Sequence, residues 1–223
     1  MDWEAFNLSL RLALYTVALL IPIGIAAARV LAYRRFPGRN VLQAVLALPL
    51  VLPPTVLGFY LLTALGRRGA IGAFCEDLFG VPLVFSFTGL LLASIIFNVP
   101  FAIQPIQRAL EAVPDSIREA AWCSGLSRWR TFLNIELPLI WPGILSATVL
   151  AFAHTLGEFG VVLMLGGNIE GETRTISIAI YDRVQALDNA SAGLMSAVLL
   201  ALSFTAIATI YMLNERFDRK RAW

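Results

Sequence analysis

Long apolar runs separated by short polar segments dominate the chain. Five runs approach or exceed the roughly 20 apolar residues that a helix needs to cross a membrane. They cover residues 8–32, 41–65, 83–110, 138–165 and 190–213. A lipid-exposed segment must satisfy its backbone hydrogen bonds within itself, which a helix does and an open strand cannot do. The pattern therefore predicts an all-α integral membrane protein with about five transmembrane helices.

The composition agrees with a chain that is largely surrounded by lipid. Hydrophobic residues make up 58% of the chain and charged residues only 14%, whereas soluble domains average about 25% charged residues. We expect residues 1–223 to form a single transmembrane domain with the lipid bilayer as a partner. The net charge of +2 gives no reason to expect a nucleic acid partner.

Basic side chains are unevenly divided between the two faces of the predicted bundle. If the segment between the first two runs is cytoplasmic, eleven basic residues face the cytoplasm and four face outward. The inward group is Arg34, Arg35, Arg39, Arg108, Arg118, Arg128, Arg130, Arg216, Arg219, Lys220 and Arg221, and the outward group is Arg67, Arg68, Arg174 and Arg183. Cytoplasmic loops carry the excess of Lys and Arg in membrane proteins. We therefore expect the amino terminus to lie outside and the carboxyl terminus to lie in the cytoplasm. Arg11 and Arg29, near run ends, are expected to snorkel.

Two polar segments are long enough to form structure of their own. Residues 111–138 are assigned to the cytoplasm and residues 166–189 to the outside. Within the second segment, residues 175–187 are expected to form either a re-entrant helix or a surface helix. Inside the second run, Pro53 and Pro54 stand beside Thr55, and a proline removes a helical hydrogen bond. This site has two interpretations, a tolerated kink or a broken helix that lines a path or bends during gating.

The segment from Arg118 to Pro138 is expected to break at its centre. Gly125 stands in the middle of this segment, where a glycine costs a helix about 1 kcal/mol relative to alanine. A glycine at such a position usually marks a turn or a close backbone approach. The segment therefore predicts a short helix, a turn at Gly125, and a second helix that leads into the fourth run.

The same segment resembles the EAA loop of ATP-binding-cassette (ABC) importer permeases. The family pattern is Glu-Ala-Ala, three residues, Gly, nine residues, Ile, one residue and Leu-Pro, and this chain matches every fixed position. The matching residues are Glu119, Ala120, Ala121, Gly125, Ile135, Leu137 and Pro138. In the family, this loop carries a coupling helix that docks on the nucleotide-binding subunit. The resemblance implies a type I ABC importer permease fold in which residues 111–138 couple the chain to an ATPase.

Two further stretches are similar to molybdate permeases in particular. They are residues 48–62, LPLVLPPTVLGFYLL, and residues 155–182, TLGEFGVVLMLGGNIEGETRTISIAIYD. Sulfate permeases share a similar Leu-Gly-Glu-Phe-Gly stretch but are typically longer, so the compact length favours molybdate. The resemblance implies molybdate as the cargo, with tungstate as a second candidate. A sulfate or thiosulfate permease is the near alternative.

The chain lacks the sequence of an ATP-hydrolysing engine. A phosphate-binding loop needs a lysine directly after a glycine, and the one lysine, Lys220, follows Arg219 with no glycine nearby. We expect a transport subunit that is not itself an enzyme and holds no cofactor, with ATP and Mg²⁺ bound by a partner. The family resemblance implies two permease chains as a homodimer, two ABC ATPase chains and an external oxyanion-binding protein.

Few polar side chains interrupt the apolar runs. Glu158 is the clear charged case, and His154 precedes it by one helical turn, which allows the two side chains to interact. We expect this pair to serve a gate, a subunit contact or a buried polar patch, because a glutamate repels an anionic cargo. Neutral donors suit passage of an oxyanion better, since conduction requires weak binding. The candidates for the translocation path are Thr55, Ser94, Asn98, Ser146, Thr155 and Glu158, although any of them also fits a helix–helix contact.

Two other classes of function remain for comparison. An ion-coupled secondary transporter would use intramembrane acids and no ATPase, and Glu158 is the only feature in its favour. An intramembrane hydrolase is discounted, because the sequence contains no His-Glu-x-x-His, no Gly-x-Ser-x-Gly and no intramembrane aspartate pair.

Overall fold

Helices account for all five apolar runs in the computed structural model, which describes residues 1–221. In chain order they are α1 (Trp3–Tyr33), α2 (Arg39–Val51), α3 (Pro54–Leu65), α4 (Ala70–Phe79), α5 (Phe87–Glu111), α6 (Asp115–Cys123), α7 (Arg128–Thr131), α8 (Leu137–Leu139), α9 (Trp141–Gly157), α10 (Gly160–Gly166), α11 (Ile176–Gln185) and α12 (Asn189–Arg221). A π-helical stretch, Phe132–Glu136, joins α7 to α8. No strand occurs within this described part of the chain, and the predicted all-α fold is confirmed.

The centre of the bundle is built from α1, α5 and α9, which pack against one another along most of their lengths. Asp2 starts α1 by accepting a hydrogen bond from the backbone N–H of Ala5 at 3.0 Å, as an N-cap residue does. Ser86 caps α5 in the same way through Gly89. The largest buried cluster includes Leu20, Ile106 and Ile140 and lies between these three helices.

Three helices and two bent helix pairs are long and apolar enough to cross a membrane. The three are α1, α5 and the part of α12 from Asn189 to Thr209. The bent pairs are α2 with α3, at 113°, and Arg128–Leu139 with α9, at 67°. Counting each pair as one crossing gives the predicted five. Leu52 and Pro53 have extended backbones between α2 and α3, so the helix is broken at the two prolines, and a role of this break in lining a path or in gating stays a prediction.

The fourth run differs from its prediction as one span over residues 138–165. The helix α9 ends at Gly157, because Glu158 adopts an extended backbone conformation. The residues that follow form the separate helix α10, which packs on α3. Two glycines permit this contact: a Cβ atom on Gly58 would lie 2.9 Å from the Met164 Cβ, and one on Gly160 would lie 2.7 Å from the Pro54 Cβ. Backbones can approach this closely only where side chains are absent.

The helix α11 lies within residues 175–187, the segment predicted to form either a re-entrant helix or a surface helix. It buries Ile176 and Ala179 against Ala5 near the start of α1 and Met195 near the start of α12. The backbone N–H of Ile176 also donates to the Ser9 Oγ at 2.8 Å. These contacts place α11 across the ends of the two long helices, which favours the surface-helix interpretation.

The opposite end of the bundle, where α1 and α5 terminate, is rich in arginine, and we call it the arginine-rich face. There Arg39 donates to the Leu31 carbonyl at 2.8 Å and pairs with Glu111 at 3.2 Å. Arg29, which was expected to snorkel, also makes specific contacts at this face. Its Nε lies 3.4 Å from the Oε2 of Glu136, a side chain only 2% exposed, and its guanidinium stacks 4.3 Å from the Phe132 ring centroid. This ion pair joins α1 to the segment that precedes α9.

Removing the two members of this ion pair should have unequal effects. Arg29→Met leaves the buried Glu136 side chain without its partner, and breaking a buried pair in this way costs about 3–5 kcal/mol. Glu136→Gln instead leaves Arg29, whose side chain is 29% exposed and can reach water, so we expect a loss of only about 1 kcal/mol. Thermal unfolding of the purified full chain in detergent, followed by circular dichroism, measures both.

The matched control is Arg67→Met, which breaks the Arg67–Glu76 pair. The Arg67 side chain is 74% exposed, and exposed pairs contribute less than about 1 kcal/mol. Equal destabilisation by Arg29→Met and Glu136→Gln would contradict the asymmetry.

Candidate functional site

The segment between α5 and α9 forms a compact helical hairpin on the arginine-rich face. The helix α6 ends at Cys123, and Gly125 follows with a left-handed φ of +83°. The N–H of Gly125 donates to the Trp122 carbonyl, and the N–H of Leu126 donates to the Ala121 carbonyl, so the turn satisfies the end of the helix as a glycine C-cap does. Ser127 then caps α7. The predicted short helix, turn at Gly125 and second helix are confirmed.

The residues that match the EAA pattern divide into two groups. Ala121 is buried, and Ile135 and Leu137 are half-buried, with Leu137 packed against the central cluster of the bundle. The other members point away from the bundle and are exposed, namely Glu119, Ala120, Gly125 and Pro138. Trp122 and Trp129 are exposed beside them. The first group anchors the segment, and the second group presents a surface of mixed charged and aromatic character to whatever lies beyond this face.

A second group of polar residues lies inside the bundle, where α5 meets α9. The Asn98 Nδ2 donates to the Thr155 Oγ1 and to the Ser94 carbonyl, both at 2.8 Å. The Asn98 Oδ1 faces the His154 Nδ1 at 3.1 Å, so this nitrogen carries the proton. Thr155 donates in turn to the Ala151 carbonyl at 2.8 Å. These hydrogen bonds fasten α5 to α9 at a position where a buried polar group without a partner is costly.

Glu158 continues this polar cluster to the break between α9 and α10. Its Oε2 lies 3.9 Å from the His154 Nε2, and its Oε1 accepts a hydrogen bond from the Val161 N–H at 2.9 Å. The carboxylate therefore caps the start of α10. The Glu158 carbonyl also accepts from the Ser177 Oγ at 2.7 Å. Glu158 thus connects α9, α10 and α11. These contacts account for a buried acidic side chain without requiring it to bind the cargo.

The structure brings together only some of the residues predicted for the path. Ser94, Asn98, Thr155 and Glu158 belong to one buried cluster. Thr55 is exposed in the first turn of α3, near Gly160. Ser146 lies nearer the start of α9 than Thr155 does, and its Oγ donates to the Pro142 carbonyl at 2.9 Å. Each predicted donor except Thr55 therefore lies on α5 or α9.

Two contributions escaped the sequence analysis. His154 was noted only as a neighbour of Glu158, yet its ring packs between Phe97 and Phe101, with centroid distances of 5.3 Å and 4.3 Å. Glu136 stands inside the EAA match at a position that the pattern leaves open, and the structure shows it paired with Arg29. A buried charge in an otherwise apolar stretch was the signal available for Glu136.

Among residues 1–221, no group of three or more His, Cys, Asp or Glu side chains is placed to hold a metal ion. The first region presents an exposed surface of charged and aromatic side chains, and the second holds α5 and α9 together through hydrogen bonds.

Comparison with known proteins identifies the family of this chain. Residues 20–222 match the family described as binding-protein-dependent transport system inner membrane component. The chain is 43% identical to the molybdenum transport system permease protein ModB of Azotobacter vinelandii, over 97% of this chain and 95% of that protein. It is 35% identical to the probable sulfate transport system permease protein cysT of Chlorella vulgaris, over 95% of this chain and 78% of that protein.

A solved structure shares the fold. It is a bacterial alginate ABC transporter in complex with an alginate pentasaccharide-bound periplasmic protein, and its TM-score to this chain is 0.72 at 20% identity. The match covers 97% of this chain and 78% of the other.

Two threonines of α9 provide a matched test of the buried cluster. Thr155 and Thr148 each donate to a carbonyl four residues earlier at 2.8 Å, but only Thr155 also accepts a hydrogen bond from Asn98. Thr155→Val leaves the fully buried Asn98 short of one partner and should cost about 1–3 kcal/mol. Thr148→Val should cost less than about 0.5 kcal/mol. Thermal unfolding of both variants in detergent compares them, and equal losses would contradict the role given to the Asn98–Thr155 bond.

Proposed function

Since the chain belongs to the family of binding-protein-dependent transport system inner membrane components, we propose that it is the permease subunit of an ATP-driven molybdate importer. The observation that carries the cargo is the similarity to molybdenum permeases at 43% identity over nearly the full length of both chains. The sulfate permease shares 35% identity over 78% of its own length. Tungstate, which has the same charge and tetrahedral shape, is a second cargo.

The proposed complex divides the work between several chains. A separate ATPase supplies the energy and binds ATP and Mg²⁺, and an external oxyanion-binding protein delivers the cargo. We propose that two copies of this permease form the path as a homodimer in the bacterial inner membrane. The helices α2 and α12 support this: no residue of α2 is buried within one chain, and only 11% of the membrane-crossing window of α12 is buried. Most of the surface of α2 and of the Asn189–Thr209 part of α12 is therefore available to contact a second copy.

The proposed cargo path uses neutral donors. The side chains of Asn98 and Thr155 are hydrogen-bonded to each other in the described conformation, and the Ser94 Oγ is buried beside them without a hydrogen-bond partner among the described residues. These donors can therefore meet an oxyanion only when α5 and α9 separate. Thr55 is already exposed, and Glu158 excludes rather than binds an anion. Weak and exchangeable hydrogen bonds suit a path that has to release its cargo. Most of the selectivity between molybdate and sulfate is accordingly assigned to the external binding protein.

The function is tested by reconstituting the permease with its ATPase and binding protein in proteoliposomes. Molybdate should stimulate ATP hydrolysis and accumulate inside, and sulfate should do so more weakly. A proton or sodium ionophore should leave uptake unchanged, because energy enters through ATP. Stronger stimulation by sulfate would replace the proposed cargo, and uptake that followed an ion gradient without ATP would replace the class of transporter.

We propose that residues 111–138 transmit the state of the ATPase to the membrane helices. The exposed members of the EAA pattern, Glu119, Ala120, Gly125 and Pro138, would contact the ATPase, and the buried members would carry its movement into the bundle. The Arg29–Glu136 pair adds a direct connection to α1.

Substitutions at Gly125 can distinguish two roles of this residue, forming the turn and contacting the ATPase. Its φ of +83° disfavours most side chains, yet a Cβ atom there would meet nothing within 4 Å in this chain. Asparagine tolerates the left-handed conformation whereas leucine does not. If a close approach to the ATPase matters, Gly125→Asn and Gly125→Leu should both abolish molybdate-stimulated ATPase activity while the protein still reaches the membrane. Full activity in both variants would remove the coupling assignment, and loss in Gly125→Leu alone would assign Gly125 to the turn only.

The proposed orientation, with the amino terminus outside, rests on the eleven-to-four distribution of basic residues. In a Cys75→Ser background, a membrane-impermeant thiol reagent on intact cells should label Glu172→Cys but not Cys123. Both positions are exposed in the structure, and Glu172 avoids the positive φ of neighbouring Gly171. Labelling of Cys123 from outside would reverse the assignment, and labelling after permeabilisation confirms that Cys123 is reactive.

A further inference from the structure

A cavity of about 760 Å³ lies between the end of α1 and the segment that precedes α9 on the arginine-rich face. Four arginines contribute to its wall, namely Arg29, Arg34, Arg118 and Arg128. Tyr33, Trp122, Trp129 and Phe132 supply aromatic rings between them. The remaining wall, toward the middle of α1, is apolar and includes Ile25 and Val30. We call this space the arginine cavity.

The arginine cavity carries more positive charge than its own acids neutralise. Arg29 pairs with Glu136, and Arg118 pairs with Asp115. Arg34 and Arg128 form no ion pair with any residue in the part of the chain that the structure describes, so two positive charges are in excess. The Nε atoms of Arg29 and Arg118 are also buried without a hydrogen-bond partner among residues 1–221. Guanidinium groups arranged in this way favour phosphate or carboxylate oxygens as acceptors.

The apolar wall distinguishes between the possible sources of such an anion. Val30 lines the cavity and is exposed, and Ile23 is exposed two turns earlier on α1, a helix long and apolar enough to cross a membrane. We therefore infer that this side of the cavity faces lipid. A free oxyanion makes no use of an apolar wall, whereas a phospholipid does, because its acyl chains continue from its headgroup into the bilayer.

We propose that the arginine cavity binds the headgroup phosphate of an anionic phospholipid, with the acyl chains lying along α1. Basic pockets between transmembrane helices recognise such headgroups through the same combination of charge and apolar surface. Arg34 and Arg128 contact the phosphate, while Arg29 and Arg118 remain in their ion pairs with Glu136 and Asp115 and form part of the cavity wall. The lipid then bridges α1 and the segment that precedes α9, the two elements that Arg29 and Glu136 already join.

Tryptophan quenching tests this inference in the full-length permease reconstituted in vesicles. Phenylalanine replaces Trp3, Trp141 and Trp223, which leaves Trp122 and Trp129 as reporters at the cavity. Brominated phosphatidylglycerol diluted in phosphatidylcholine should quench them several-fold more strongly than brominated phosphatidylcholine diluted in phosphatidylglycerol. The brominated lipid is present in both leaflets, so the result does not depend on the orientation of the chain. Neither the ATPase nor the cargo takes part, so failure of the proposed function would leave this result unchanged, and the reverse also holds.

Two double variants separate the cavity from general surface charge. Each arginine that contacts the headgroup should contribute about a fivefold increase in binding, so Arg34→Gln with Arg128→Gln should lower the relative affinity for phosphatidylglycerol by on the order of 25-fold. Arg35→Gln with Arg130→Gln removes the same charge from adjacent positions that do not line the cavity, and it should change the affinity less than about twofold.

Three outcomes would overturn the proposal. The first is equal quenching by the two brominated lipids in the wild-type protein. The second is an equal loss of preference in both double variants, which would assign the effect to surface charge. The third is displacement of brominated phosphatidylglycerol by soluble inorganic phosphate or molybdate, which would assign the arginine cavity to a free oxyanion instead of a lipid.

Discussion

Backbone hydrogen bonding in lipid is the constraint on which this structure depends. Every N–H and C=O group within the bilayer has to be paired inside the protein, and a continuous helix does this without help. Each interruption therefore needs local compensation. Beyond Leu52 the N–H groups of Val56 and Leu57 bond to the Pro53 carbonyl, and beyond Gly157 the carboxylate of Glu158 accepts from the Val161 N–H. At the second break the sequence supplies a side-chain cap, so the buried Glu158 is explained first by the backbone.

The sequence predicted the features that neighbouring residues determine and missed the contacts between residues far apart in the chain. The number of crossings follows from runs of about 20 apolar residues, and the turn at Gly125 follows from one residue. The fourth run was predicted too long. Apolar residues continue on both sides of Glu158, and hydropathy alone does not show that one helix ends there and that the next is capped there. The Asn98–Thr155 bond joins residues 57 apart in the chain, and the Arg29–Glu136 pair joins two different elements. The spacing of residues along the sequence does not predict such pairs. Each member alone could equally snorkel to the membrane surface or form a hydrogen bond within its own helix.

The arginine-rich face combines three kinds of contact in one region. The EAA residues divide into buried anchors and an exposed surface, the Arg29–Glu136 pair ties that region to α1, and the arginine cavity lies between the two. A movement applied at α6 therefore has a direct covalent route into α9 and a noncovalent route into α1. The helices α1, α5 and α9 pack against one another, and the buried cluster around Asn98 lies where α5 meets α9.

The contact between α3 and α10 has a consequence for the order in which the protein is made. Gly58 and Gly160 allow these two helices to touch, and the chain between them takes about 5–20 s to synthesise at ribosomal speed. During that interval α3 has left the ribosome, while the partner that fills its surface does not yet exist. The second crossing must therefore wait in the membrane, bent at Pro53 and incompletely packed, until the fourth crossing is inserted. Nascent chains that stop between these glycines would present that unpaired surface to the quality-control proteases of the membrane.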